Sequence, residues 1–206
     1  MAVCYIVGAA PLCVPFVPAA GDLVIAADGG QAALSRLGVS PHLAVGDFDS
    51  SAAPTDIPYV KHPVEKDDTD CALAIREGRA RGYRTFALYG CLGGRLDHTM
   101  GAVQTALGAA REGDEIYLVG EGFVCRVLTA GSLTFTPQGK VSVLALSERA
   151  EGVTLSGLKY SLENATLTNG FPLGVSNEGK GCPATVSVRE GALLVLWEGD
   201  TLPLSR

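Results

Sequence analysis

The chain has 206 residues, 47% of them hydrophobic and 18% charged, a balance that supports a packed core and excludes a disordered chain. Its formal net charge of −6 argues against nucleic acid as a partner, because gripping a phosphate backbone needs a basic face. A nucleotide bridged by a divalent cation remains compatible with that charge.

The first twenty residues are apolar, yet they lack a basic n-region, and Pro11, Pro15 and Pro18 interrupt the run. A first strand at 3–7 ending in Gly8 is expected there instead of a secretory signal. Nothing elsewhere is long and apolar enough to span a bilayer, so a cytoplasmic protein without a membrane partner is expected. Further strands are expected at 23–27, 43–45, 85–89 and 115–119, with helices at 31–37, 69–81 and 98–111. This alternation predicts an α/β N-terminal domain, residues 1–121, with a mostly parallel, Rossmann-like sheet whose ligands lie beyond the carboxyl ends of the strands. After it come short aliphatic and β-branched runs at 123–128, 133–136, 141–146, 153–155, 165–167, 184–188 and 193–197, separated by Gly, Pro and Asn. These predict an all-β sandwich or barrel as the C-terminal domain, residues 122–206. The six cysteines have no C-x-x-C pairing, which makes them small buried residues of a reducing compartment.

Acidic residues collect where the expected strands end. Asp28 closes Ala26-Ala27-Asp28-Gly29-Gly30; taken alone, it reads as an N-cap of the following helix. Asp47 and Asp49 flank Phe48, and in extended backbone both carboxylates would share one side, suited to one metal ion, with Phe48 anchored in the core. In Asp67-Asp68-Thr69-Asp70 one residue is expected to cap a helix. The crowded negative charge calls for a cation, so Asp70, with Asp67 as a second candidate, is expected to face it. The loop Gly90-Cys91-Leu92-Gly93-Gly94-Arg95-Leu96-Asp97-His98 joins a strand to a helix. Its glycines permit close backbone approach to phosphate, Arg95 can clamp phosphate, and Asp97 can ligate metal or accept a proton. The loop is neither a G-x-x-x-x-G-K-[ST] nor a G-x-G-x-x-G motif. Gly157-Leu158-Lys159-Tyr160 and Gly174-Val175-Ser176-Asn177-Glu178 read as hairpin turns on physical grounds. His42, His62 and His98 lack metal-ligand spacing, no G-x-S-x-G occurs, and Trp197 acquires no role.

Taken in order, Ala27-Asp28-Gly29-Gly30, Gly46-Asp47-Phe48-Asp49-Ser50, Asp67–Asp70, Gly93–His98, Gly157–Tyr160 and Gly174–Glu178 resemble the bacterial thiamine pyrophosphokinase (thiamine diphosphokinase) family over nearly the whole chain. The resemblance implies an enzyme: an α/β domain binding ATP and Mg²⁺, a β-sandwich contributing to a thiamine site, and a homodimer with the active site at the subunit interface. It implies transfer of the diphosphoryl group of ATP to the hydroxyl of thiamine, giving thiamine diphosphate and AMP. Carried over position by position, Asp47, Asp49 and Asp70 hold the metal, and Asp28, Gly29, Gly93, Gly94 and Arg95 bind ATP. Arg95 stabilises transition-state charge, Asp70 or Asp97 receives the hydroxyl proton, and Ser176 and Asn177 contact thiamine. The exit of the first strand, Gly8-Ala9-Ala10-Pro11, departs from the family in lacking a second glycine. The alternatives are a related pyrophosphokinase acting on another alcohol, such as a hydroxymethyl pterin, a non-catalytic thiamine or nucleotide sensor, and a scaffold protein.

Overall fold

The structure is a computed structural model describing residues 1–12, 14–48, 54–62 and 68–204. The chain divides into two compact units, Met1–Ala109 with Gly113–Glu121, and Ala110–Glu112 with Gly122–Arg206.

The first unit holds strands β1 (Cys4–Val7), β2 (Leu23–Ala27), β3 (Leu43–Gly46), β4 (Tyr59–Lys61), β5 (Thr85–Tyr89) and β6 (Glu115–Gly120). Its helices are α1 (Gly30–Leu37), α2 (Asp70–Ala80) and α3 (Leu96–Arg111). The strands pair in the order β6-β5-β1-β2-β3-β4, all parallel. Residues in β1, β2, β3 and β5 are buried throughout, which is why these strands read as continuous apolar runs rather than as alternating ones. β4 was not expected: three residues at a sheet edge, two of them exposed, carry almost no periodic signal.

Each face of this sheet has its own cover. Cys4 and Phe86 are register partners on neighbouring strands, and α2 presses on them through Gly78. Tyr5 and Tyr89 project to the opposite face, where Phe16 packs on both, at centroid distances of 4.7 and 4.6 Å. The far end of α2 is fastened by the buried Asp114 carboxylate, which accepts from Arg79 Nε at 2.5 Å and from Arg84 Nη1 at 3.2 Å.

The second unit comprises β7 (Phe123–Leu128), β8 (Gly131–Phe135), β9 (Gln138–Ala145), β10 (Arg149–Ser156), β11 (Leu162–Thr168), β12 (Gly174–Lys180), β13 (Ala184–Val188) and β14 (Leu193–Glu198). They form two antiparallel layers, β12-β9-β14-β7 and β11-β10-β13-β8. Phe135 of one layer meets Trp197 of the other at 5.0 Å, so Trp197 is a core residue. Among the described residues the fold is therefore mostly β, with parallel pairing in the first unit and antiparallel pairing in the second. One expectation is corrected: residues 174–178 are not a hairpin turn but most of strand β12, paired with β9. The segment Gly-Val-Ser-Asn-Glu-Gly-Lys has low β propensity, and its partner strand holds it extended in spite of that.

Gly78 provides a test of this packing. A Cβ there would sit 2.6 Å from Phe86 Cε1 and 2.9 Å from Cys4 Sγ, and both residues are fully buried. Gly78→Ala would gain about 1 kcal/mol in helix propensity. Overpacking against a buried ring costs about 1–3 kcal/mol, and here it dominates. A net loss of up to about 2 kcal/mol is expected in urea unfolding; greater stability would show that α2 does not rest on Phe86.

Candidate active site

The carboxyl ends of β1 and β5 stay joined past the strands: Gly8 N–H donates to Tyr89 O at 2.8 Å, and Ala10 N–H donates to Gly90 O at 2.9 Å. A Cβ on Gly8 would lie 2.6 Å from Gly90 O, and one on Gly90, whose φ is +60°, would lie 2.6 Å from Gly8 O. Only two residues without side chains allow this approach. Above this floor opens a cavity of about 370 Å³ within the first unit. Its walls come from the β1 exit (Gly8, Ala9, Ala10), the β2 exit (Ala27, Asp28), the start of α2 (Thr69, Asp70, Cys71), the β5 exit (Gly90, Cys91) and α3 (Asp97, His98, Gly101, Ala102).

Three of the sequence-selected aspartates, Asp28, Asp70 and Asp97, thus line one cavity although they arrive from three different elements. Asp28 is not an N-cap. Gly29 occupies that position with no side-chain cap, and Asp28 takes a left-handed φ of +49° while its N–H donates to Val45 O at 2.8 Å. In α2 the cap is Thr69, whose Oγ1 accepts from Ala72 N–H at 3.2 Å. Asp68 pairs with Arg76 at 2.7 Å, and Asp70 sits in the first turn facing the cavity.

Asp47 follows β3 outside the cavity wall, and Asp49 and Asp67 lie outside the described residues. The backbone at Phe48 is not extended, as a shared side for its flanking carboxylates would require. Phe48 has φ +55°, is only half-buried, and meets Tyr59 edge-on at 5.6 Å. The chain turns as it leaves β3, so the ring settles on the edge strand instead of in the core. Among the described residues no three His, Cys, Asp or Glu side chains stand together as a ready metal-ligand set.

The loop after β5 carries Gly93 and Gly94 at φ +84° and +67°, and Gly93 N–H donates to Thr99 Oγ1 at 3.1 Å. Arg95 grips Asp97 with both arms of its fork, Nε to Oδ1 at 3.2 Å and Nη2 to Oδ2 at 2.5 Å, in an exposed position. The Arg95 hydrogen bond holds the Asp97 carboxyl below the usual carboxylate range. Deeper in, Cys71 Sγ lies 3.2 Å from Cys91 Sγ, and this contact together with burial pushes the Cys91 thiol well up. Nothing in the sequence singled out Ala9, Ala10, Cys71, Cys91 or His98 as wall residues. Their signal is only adjacency to the strand ends and to the aspartate motifs.

In the second unit, Asn177 is buried, and its amide is taken up by backbone. Its Oδ1 accepts from Tyr160 N–H at 2.9 Å and Glu178 N–H at 2.8 Å, and Nδ2 donates to Tyr160 O at 2.6 Å. Lys159 Nζ meets Glu178 Oε2 at 2.9 Å and lies 5.6 Å from the centre of the Tyr160 ring, holding the same turn from its outer side. Ser176 stands at a register shift in β12 with φ +60°, exposed, its N–H donating to Ser142 Oγ at 3.1 Å. Tyr160, Phe171, Leu173 and Val175 are large apolar side chains left exposed in this unit.

Comparison with known proteins places these features. The family profile described as "Thiamin pyrophosphokinase, catalytic domain" matches residues 18–118, and that described as "Thiamin pyrophosphokinase, vitamin B1 binding domain" matches residues 134–193. The thiamine pyrophosphokinase of Bacillus subtilis (strain 168) is 29% identical over 191 residues, covering 86% of this chain and 88% of that protein. The crystal structure of the Bacillus subtilis enzyme superposes with a TM-score of 0.84 at 25% identity, over 97% of this chain and 100% of the other. That of the thiamin pyrophosphokinase from Geobacillus thermodenitrificans has a TM-score of 0.84 at 31% identity, over 98% of this chain and 100% of the other. With full-length likeness in sequence and structure, and with both domain profiles matched in order, the chain belongs to the thiamin pyrophosphokinase family.

Proposed function

We propose that the chain is a thiamine diphosphokinase, moving the diphosphoryl group of ATP to the hydroxyl of thiamine and releasing AMP. The observation that carries this reading is the single cavity bringing Asp28, Asp70 and Asp97 together, in a chain of this family. The first unit, as a Rossmann-like ATP domain at 1–121, and the second, as the thiamine domain at 122–206, divide the work between them. The match of 134–193 to the vitamin B1 binding profile favours thiamine over a pterin alcohol.

Carboxylate oxygens are hard donors suited to Mg²⁺, which takes one or two carboxylates and completes its shell with phosphate oxygens and water. A cavity wall with separated aspartates and no preassembled triad among the described residues fits that habit. Asp47, Asp49 and Asp70 are the residues proposed to hold the ion, which when bound supplies charge neutralisation to the phosphates. Asp28 and Gly29, with Gly93 and Gly94 on the β5 exit loop, form the proposed ATP wall.

Arg95 and Asp97 are proposed to work as a pair. Arg95 occupies both Asp97 oxygens, and Asp97 binds a proton weakly. A phosphate chain competes for the same guanidinium fork. As Arg95 turns to phosphate, the Asp97 carboxyl returns toward its ordinary range and becomes a better proton acceptor for the attacking hydroxyl. Asp70 is the other candidate acceptor.

In the second unit Ser176 is proposed to touch thiamine directly. Asn177, its amide committed, acts by fixing Tyr160 and the 157–160 turn. The exposed apolar side chains at 171–175 support a homodimer, with the active site at the subunit interface. No helix among the described residues is long and apolar enough to cross a membrane, and a cytoplasmic location is proposed.

Purified protein with ATP, Mg²⁺ and thiamine should yield AMP and thiamine diphosphate in equal amounts; ADP with thiamine monophosphate would place the attack at the wrong phosphorus. Asp70→Asn should lower kcat on the order of 10²–10³-fold. The fold should survive, since Thr69 supplies the helix cap. Arg95→Ala should lower kcat by on the order of 10²-fold and move upward the acid limb of the kcat/KM pH profile, which reports the free enzyme, because there Asp97 loses the cation that depresses it. An unmoved limb removes Asp97 as the acceptor. Asn177→Ala should cost about 1–3 kcal/mol of stability by removing a buried amide that makes three hydrogen bonds to backbone, and should also raise KM for thiamine. Ser176→Ala should raise KM for thiamine alone, and equal melting behaviour in the two variants would contradict the division of roles.

A further inference from the structure

Cys71 and Cys91 are twenty positions apart in sequence and reach the same cavity wall from different elements, the first turn of α2 and the exit of β5. Their sulfurs are 3.2 Å apart. Cys71 is half-buried and Cys91, in the same wall, is buried, its Sγ also donating to Tyr89 O at 3.3 Å. The other described cysteines are placed differently: Cys4 and Cys125 are buried in β1 and β7, and Cys182 is exposed. The pair sits between the two segments that carry Asp70 and the Arg95–Asp97 fork.

We propose that Cys71 and Cys91 form a modification site for small peroxides, a dithiol whose oxidation to a disulfide ties the start of α2 to the β5 exit loop and weakens nucleotide binding in the cavity. This rests on reading that cavity as the ATP site. The open, half-buried Cys71 meets the peroxide first. Its sulfur attacks one peroxide oxygen, an S–O bond forms, the O–O bond breaks, and the second oxygen leaves as water with the thiol proton, giving a sulfenic acid. Cys91 sulfur then attacks Cys71 sulfur; the S–S bond forms, the S–O bond breaks, and the hydroxide leaves as water with the Cys91 proton. Two thiols are oxidised by two electrons and one hydrogen peroxide is reduced to two waters. The sulfurs need only close from 3.2 Å to about 2.0 Å, within the reach of side-chain rotation and a small shift of α2. The covalent tie removes the freedom of Asp70 and the 90–97 loop to adjust around a polyphosphate, and it draws the cavity walls together.

The test treats the intact protein with hydrogen peroxide, alkylates the remaining thiols, maps the peptides, and measures ATP affinity by calorimetry in the reduced and oxidised states. The expected result is a cross-linked peptide joining Cys71 to Cys91 and a Kd for ATP raised by about tenfold, within the usual range of coupling between two sites. Dithiothreitol should reverse both changes. Cys71→Ser and Cys91→Ser should each abolish the cross-link and the affinity change, whereas Cys182→Ser should retain both. Recovery of both thiols in alkylated form overturns the proposal, as does a cross-link that leaves ATP affinity unchanged. A reduced protein that does not bind ATP overturns the reading of the cavity itself, and this proposal with it.

Discussion

Two backbones in contact organise the first unit. Val7 and Tyr89 end their strands in register, and the ladder continues for one more step through Gly8 and Gly90, each pressed against the other's carbonyl. Because β2 is also in register with β1, the carboxyl ends of β1, β2 and β5 finish at one level. Whatever follows each strand must therefore emerge onto the same shelf. A side chain at either glycine would meet the other's carbonyl oxygen at 2.6 Å, force the strand ends apart and displace the residues beyond them. The acidic cavity is thus a consequence of strand register first and of side-chain chemistry second. Parallel sheets place loops at one edge, and polar groups in those loops meet without having to be neighbours in sequence.

A different device serves the second unit. Here the Ser176-Asn177 segment lies within a strand instead of beyond one, and local irregularity turns one of its side chains outward. The register shift between Gly174 and Asn177 supplies that turn, as bulges do, by re-aiming one residue while the ladder resumes on either side. Asn177 then faces inward and binds the Tyr160 backbone at both its N–H and its carbonyl. Ser176 faces outward. A Ser-Asn dipeptide in this setting is one residue that presents and one that holds.

How much of this was legible follows from the kind of signal each part carries. The continuous apolar runs of β1, β2 and β5 are strong because both faces of those strands are buried, and α2 announces itself through Thr69 and Asp70 of its first turn. β12 was missed because glycine, serine and asparagine say "turn" by local propensity, and only the partner strand β9 overrules them. The geometry at Phe48 was misjudged for a related reason: spacing of two implies a shared face only where the backbone is extended, and the left-handed φ breaks that premise. The Cys71–Cys91 contact left no trace at all in the spacing of the cysteines. It arises from the docking of α2 beside the β5 exit, a tertiary event with no sequence period.

The backbone outliers connect these observations. Asp28, Phe48, Asn164 and Ser176 are the non-glycine residues with left-handed φ among those described. Asn164 has an ordinary account, since it lies on β11 opposite the irregular stretch of β10 and bonds to Thr154 and Arg189. The other three fall at the exit of β2, between two motif aspartates and in the bulge of β12. Such conformations cost roughly 1–3 kcal/mol each and persist where neighbours over-determine them. The restraints are visible: Val45 O on the Asp28 amide, the Tyr59 ring on Phe48, and Ser142 Oγ on the Ser176 amide. Glycine would fill the Asp28 position without strain, and the helix behind it is capped by Gly29 without help from the carboxylate. What glycine cannot do is set two anionic oxygens in the cavity wall. The strain at Asp28 is therefore explained by the charge it delivers, because neither its capping nor its local packing accounts for a carboxylate there.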